Sequence, residues 1–165
     1  MTINIICEAK PDLSFHYKAL AKKVIEESMN VEGFPYEAEI NLTLTDNAGI
    51  HRINAQMRDI DAPTDVLSFP MLDFESPADF SQIEEYWGDT VNPDTGEVLL
   101  GDIVLSLDKA KSQAEEYGHD EKREYAFLIV HSMLHLMGYD HIKPDEAKIM
   151  EEHQRNILDS LNIKR

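Results

Sequence analysis

With 165 residues, 42% hydrophobic and 28% charged, the chain is sized and composed for one folded domain and not for a disordered one. The single cysteine, Cys7, excludes an intrachain disulfide, and neither a signal-peptide start nor the ~18 apolar residues of a membrane span is present, so 1–165 reads as one cytoplasmic domain without a membrane partner. A net charge of −17 excludes tight, non-specific nucleic-acid binding by the molecule as a whole.

Thr2 to Cys7 reads as a strand carrying Ile3, Ile5 and Ile6. Pro11-Asp12 then opens a helix with Asp12 as N-cap, its apolar face made by Tyr17, Leu20, Ala21, Val24 and Ser28. Gly33 and Pro35 break the chain before a second strand, Ala38 to Leu44, in which Ile40, Leu42 and Leu44 alternate with polar residues. Asp46 caps a short helix to about Met57, and a third strand, Asp65 to Phe69, follows Pro63.

Residues 70 to 97 hold Pro77, Gly88, Pro93 and Gly96 with few periodic apolar positions, the pattern of a long functional or mobile loop. This region belongs to a wider acidic segment. Between Arg58 and Lys109 there is no lysine or arginine, but Asp59, Asp61, Asp65, Asp73, Glu75, Asp79, Glu84, Glu85, Asp89, Asp94, Glu97, Asp102 and Asp108. Such a segment is either a solvated loop or a docking face for a basic partner.

Leu99 to Ser106 is the fourth strand, and Leu107 to Tyr117 a polar helix stopped by Gly118. Asp120 caps a helix reaching His135 or Met137, and Pro144 starts a last helix with Ala147, Met150, Ile157, Leu158 and Leu161 on its apolar side. The class is α+β: mixed α/β layers, with a mixed sheet of about four strands packed against helices.

The chemistry concentrates in His131-Ser-Met-Leu-His135-Leu-Met-Gly-Tyr-Asp-His141. Positions i and i+4 share a helix face, so His131 and His135 aim at one point. The helix carrying them is apolar nearly all round, which means burial, and buried imidazoles need partners. Gly138 offers the turn that returns His141 as a third ligand. Three nitrogens and an open position describe a catalytic zinc centre, although imidazole also accepts iron, nickel or manganese. The bland alternative is a hydrogen-bonded pair of core histidines beside an unrelated third. The spacing matches the long zinc-protease motif and its placement of a metal-binding helix, except that Ser132 replaces the glutamate base. Serine accepts no proton near neutral pH, so peptide hydrolysis by that route loses its main residue.

A second motif is Arg58-Asp-Ile-Asp-Ala-Pro63-Thr64-Asp65-Val-Leu-Ser68-Phe69, and a third is Leu100-Gly101-Asp102-Ile103. Together with the histidine segment, in this order, they closely resemble the YbeY family of bacterial metal-dependent endoribonucleases, with Ser132 where that family commonly has glycine. The resemblance implies a zinc-bound endoribonuclease that prefers single-stranded RNA. It would act in ribosomal RNA maturation, at the 3′ end of the small-subunit 16S rRNA, and in ribosome quality control. By motif position His131, His135 and His141 would hold the metal and Arg58 would be the catalytic cleft residue. The acidic 59–108 segment would meet the ribosome or its basic proteins.

Read for chemistry, the Arg58 guanidinium suits charge developing on phosphate oxygens. The alternative is an ion pair with Asp59, Asp61 or Asp65. Asp140 either orients a ligand or forms the turn beside Gly138. Thr64 and Ser68 serve the turn and strand, while Phe69 and Trp87 either stack bases or pack in the core. A zinc-dependent amide or peptide hydrolase and a non-enzymatic ribosome-assembly factor with a structural metal are the competing functions.

Overall fold

The structure, a computed structural model, describes residues 1–163; the side chain of Trp87, and with it the base-stacking reading of that residue, lies outside the described residues. Strands β1 (Thr2–Cys7), β2 (Ala38–Thr45), β3 (Val66–Pro70) and β4 (Val98–Ser106) form one sheet in the order β1-β2-β4-β3. The first three in that order are mutually parallel, and β3 runs antiparallel on β4. The helices are α1 (Tyr17–Glu32), α2 (Asn47–Arg58), α3 (Trp87–Thr90), α4 (Leu107–Tyr117), α5 (Glu121–Leu136) and α6 (Pro144–Ser160). This is the expected mixed sheet of four strands packed with helices.

The alternation of β2 buries Ile40, Leu42 and Leu44 completely. In β4 the alternation is interrupted. Glu39 pairs with Leu99 but Ile40 with Gly101, which makes Leu100 the extra residue of a β-bulge. The bulge resets the side-chain parity, so Val98 before it, Leu100 within it, and Ile103 and Leu105 after it all join the main core. Val104 points the other way, into a small cluster with Leu67 and Ile50 of α2.

Two expectations are corrected. Helix α1 starts at Tyr17 and not after Asp12; His16 holds the N-cap position without a side-chain cap bond. Leu13 and Phe15 instead pack on the core ahead of the helix, with the Phe15 ring 5.4 Å from that of Tyr125. Asp46 does cap α2, accepting from the Gly49 amide at 2.8 Å, whereas Asp120 sits at the N-cap of α5 with its carboxylate unused for capping.

The second correction concerns the acidic segment, which is no continuous solvated loop. Between β3 and β4 the chain forms a 3₁₀ turn (Ile83–Tyr86) and α3, and it buries Leu72 and Ile83. The Phe80 ring packs edge-on against Phe34 at 5.0 Å and against Phe74 at 5.6 Å. Several acids are hydrogen-bonded to other elements: Glu97 accepts from the Thr2 hydroxyl at 2.6 Å, Asp102 from the Asn41 amide at 2.9 Å, and Asp108 from the Asn47 backbone N–H at 2.9 Å. Among the described residues no helix is long and apolar enough to cross a membrane.

Gly101 explains the Gly-Asp-Ile motif. At φ +152°, an added Cβ would stand 2.5 Å from the Phe69 carbonyl oxygen and 2.8 Å from Leu136 Cδ2. Strands β3 and β4 and the end of α5 therefore close over a missing side chain. Gly101→Ala is expected to cost about 1–3 kcal/mol by overpacking, read as a lower urea midpoint at unchanged slope.

Candidate metal centre

Helix α5 is the element on which the site is built. It packs against α1, α4, α6, β3 and β4, and Leu128, Ile129, Val130, Met133, Leu134 and Leu136 are buried on all its sides. One turn apart on it, His131 and His135 are half-buried, with Nε2 atoms 3.1 Å from each other. After α5 ends, Gly138 turns the chain at φ +98°, where an added Cβ would meet Phe74 at 3.1 Å. The turn brings the exposed His141 ring to 5.3 Å from His131 and 5.1 Å from His135. One ring nitrogen from each of the three lies within 4.8 Å of the others.

The surroundings work against charge on the two helical rings. Burial, reinforced by His135 and His141, pushes the His131 pKa down to about 4. Burial and then His141 lower that of His135 as well. Neutral imidazole is the form that ligates a metal. The outward nitrogens are held: His135 Nδ1 meets the Tyr139 carbonyl at 2.9 Å, and His131 Nδ1 meets the side-chain amide of Gln154 at 2.7 Å. Since a carboxamide both donates and accepts, Gln154 serves either tautomer of His131. The donor set thus fits one divalent cation: three convergent imidazoles, two of them oriented from behind, and no carboxylate among the hydrogen-bond partners of any of their rings in the described residues. His51, His119 and His153 contrast with them, being paired with Asp61, Glu124 and Glu32 at 2.7, 3.0 and 2.7 Å.

The other candidates separate cleanly. Arg58 ends α2, exposed, and lines a cavity of about 720 Å³ together with Thr64, Ser68 and all three histidines. Its alternative partners are committed elsewhere: Asp61 to His51, and Asp65 to the Val66 amide at 2.7 Å and to Gln113 at 3.2 Å. Among the described residues Arg58 forms no ion pair. Asp140 accepts from the His141 backbone N–H at 2.8 Å, which is the turn role, and bonds to no ring of the triad. Phe69 packs against the cluster of Ile50, Leu67 and Val104 and does not line the cavity, so it is a packing residue. Ser132 is fully buried and accepts from the Ser68 hydroxyl at 2.9 Å, tying α5 to β3. Sequence reasoning missed Gln154 and the Tyr139 carbonyl. The available signal was a glutamine within the apolar stripe of Met150, Ile157 and Leu158, where an amide needs a buried partner.

An open centre of three imidazoles, two on a buried helix and one from the turn after it, beside a guanidinium in a shared cavity, is the arrangement of a hydrolytic metal site. Comparisons with known proteins agree with it. A family model described as Endoribonuclease YbeY matches residues 4–162. Endoribonuclease YbeY of Agathobacter rectalis is 61% identical over 165 residues, covering 100% of both chains, and that of Lachnoclostridium phytofermentans is 53% identical over the same 100%. The solution structure of TM1509 from Thermotoga maritima shares the fold, with a TM-score of 0.58 at 20% identity over 98% of this chain and 92% of that one. The chain belongs to the endoribonuclease YbeY family.

Two outcomes follow for stability. The depressed His131 pKa stabilises the fold fully above the ordinary value of 6.5, and this contribution is lost as pH falls toward about 4, because the unfolded chain then binds a proton that the folded chain refuses. With chelator present, the difference in urea midpoint between wild type and His131→Asn should shift in wild type's disfavour on acidification across that window. Ser132→Ala removes a bond that glycine could not make, and should cost about 0.5–1.5 kcal/mol while leaving RNA cleavage unchanged.

Proposed function

We propose that the protein is a metal-dependent endoribonuclease acting on single-stranded RNA, with His131, His135 and His141 holding one divalent ion, zinc before the others, and Arg58 contacting the scissile phosphate. The observation that carries this reading is the shared cavity: three convergent imidazoles and a guanidinium free of ion pairs among the described residues line it together. Family membership supports ribonucleolytic cleavage over the amide-hydrolase and assembly-factor alternatives. Ser132, buried and engaged with Ser68, supplies no general base at the place where a zinc protease has glutamate.

A zinc ion on three imidazoles supplies Lewis acidity and brings the pKa of water down to about 7. The chain's own residues do the rest. Tyr139 and Gln154 fix the ring planes of His135 and His131 from behind. Arg58, held at the end of the capped helix α2, offers two parallel N–H donors to non-bridging phosphate oxygens. Those donors gain strength as negative charge builds there.

For the cellular role, the reading is cytoplasmic maturation of ribosomal RNA at the 3′ end of the 16S molecule, with ribosome quality control. A net charge of −17 makes binding of free RNA weak and salt-dependent, so targeting draws on a ribosomal surface or basic protein meeting exposed acids of the 59–108 segment.

The test is single-turnover cleavage of a labelled single-stranded RNA with metal content measured in parallel. His135→Ala should lose both metal and cleavage. Arg58→Ala should keep fold and metal while turnover falls about 10²–10³-fold, the effect of removing one transition-state donor, and Arg58→Lys should recover part of it. Wild-type cleavage by a folded, metal-loaded Arg58→Ala would remove Arg58 from the mechanism.

A further inference from the structure

A second cavity, of about 710 Å³, lies between α5 and α6 and shares His131, His141 and Asp65 with the cavity that holds Arg58. Two of the three histidines thus face both cavities, and the function proposed above uses only one. The second is lined by Arg123, Phe127, Glu151 and Arg155. Arg123, Phe127 and His131 stand at i, i+4 and i+8, a single stripe of α5 about 12 Å long that leads from a cation across an aromatic ring to a triad imidazole. Phe127 is half-buried and stacks on His131, with ring centroids 6.2 Å apart and planes 28° apart.

The charges of this cavity are unspent. Arg123 is half-buried, and its Nε is buried without a hydrogen-bond partner. Arg155 is exposed, and neither arginine forms an ion pair among the described residues. On the acidic side, the lining carries Asp65, hydrogen-bonded to the Val66 amide and Gln113, and the exposed Glu151, and neither forms an ion pair with Arg123 or Arg155 among the described residues. A buried guanidinium donor with no acceptor is costly to keep, so its retention beside a cavity suits an anion that arrives from outside.

We infer that this α5–α6 cavity is a second RNA subsite: Arg123 and Arg155 take the phosphate of a nucleotide neighbouring the cleaved linkage, and Phe127 supports its base. The inference rests on the endoribonuclease reading and extends it, because a single strand crossing the triad would be gripped by Arg58 on one side and by this pair on the other. Phosphate contacts position a strand without reading its sequence, and an aromatic face accepts any base, so the subsite sets register and single-strand preference but not sequence.

The metal-loaded full-length protein is compared with Arg123→Gln/Arg155→Gln, Arg123→Lys/Arg155→Lys and Phe127→Leu, each checked for folding and metal content. The probe is a labelled single-stranded RNA, with binding read by anisotropy over a salt series before cleavage sets in, and with single-turnover cleavage read over protein concentration. For the double glutamine variant, affinity should fall about tenfold or more, and the slope of log K against log salt should drop by about 1.4, two phosphates at roughly 0.7 each. The protein concentration for half-maximal cleavage should rise in parallel, with the maximal rate within about twofold of wild type, as expected when positioning alone is lost. The lysine pair should restore the slope, and Phe127→Leu should weaken binding with the slope intact. A folded double glutamine variant that binds RNA with wild-type affinity and slope would overturn the subsite. So would a fall in maximal rate at unchanged affinity, which would put the pair in the chemical step. A wild type that binds but cleaves no RNA would sink the endoribonuclease reading, while the binding arm still decides the subsite.

Discussion

Helix α5 has to be buried against three helices and two strands and still deliver two imidazoles to one point. Burial disfavours charge on those rings, and proximity of three imidazoles disfavours it further, so the packing that holds the fold together also keeps the site in its neutral, ligating form. The rings cannot be left without partners in such a place. Their outward nitrogens are therefore met by a backbone carbonyl from the turn after α5 and by an amide from α6. Fold and site are one packing solution here.

The same helix sets how the neighbouring elements meet. Ser132 receives the Ser68 hydroxyl from β3, and Leu136 approaches the backbone at Gly101 so closely that no side chain fits between them. The bulge at Leu100 keeps both halves of β4 facing the core beneath α5. Beyond the helix, Gly138 admits Phe74 against its bare Cα, which anchors the chain between β3 and β4 beside the triad. Each of the three family motifs is thus a contact with α5 or with its end.

Electrostatics divides the molecule differently. Part of the excess negative charge is engaged between elements: the buried Glu97 and the more accessible Asp102 and Asp108 all accept hydrogen bonds from neighbouring elements. Cations are scarce around the triad but sit on both of its cavities, with Arg58 on one side and Arg123 and Arg155 on the other. These few guanidiniums stand within an overall field that is unfavourable to a polyanion.

Sequence alone determined what depends on short-range geometry. The triad was legible because helical periodicity stacks His131 on His135 and a glycine turn returns His141, all within eleven residues of chain. The alternation of β2, the Asp46 cap and the Pro144 start were legible for the same reason. The start of α1 was not, because Leu13 and Phe15 gain more from packing on the core than from joining the helix. The acidic segment looked like loop because its few apolar residues are aperiodic, yet Leu72, Ile83 and Phe80 find their partners across the fold. Only the tertiary structure decided that Arg58 stays free of its neighbouring aspartates, that Gln154 backs His131, and that Arg123 and Arg155 share a cavity with the triad. Those relations join residues on different elements, and no periodicity along the chain encodes the contact between α5 and α6 that brings them together.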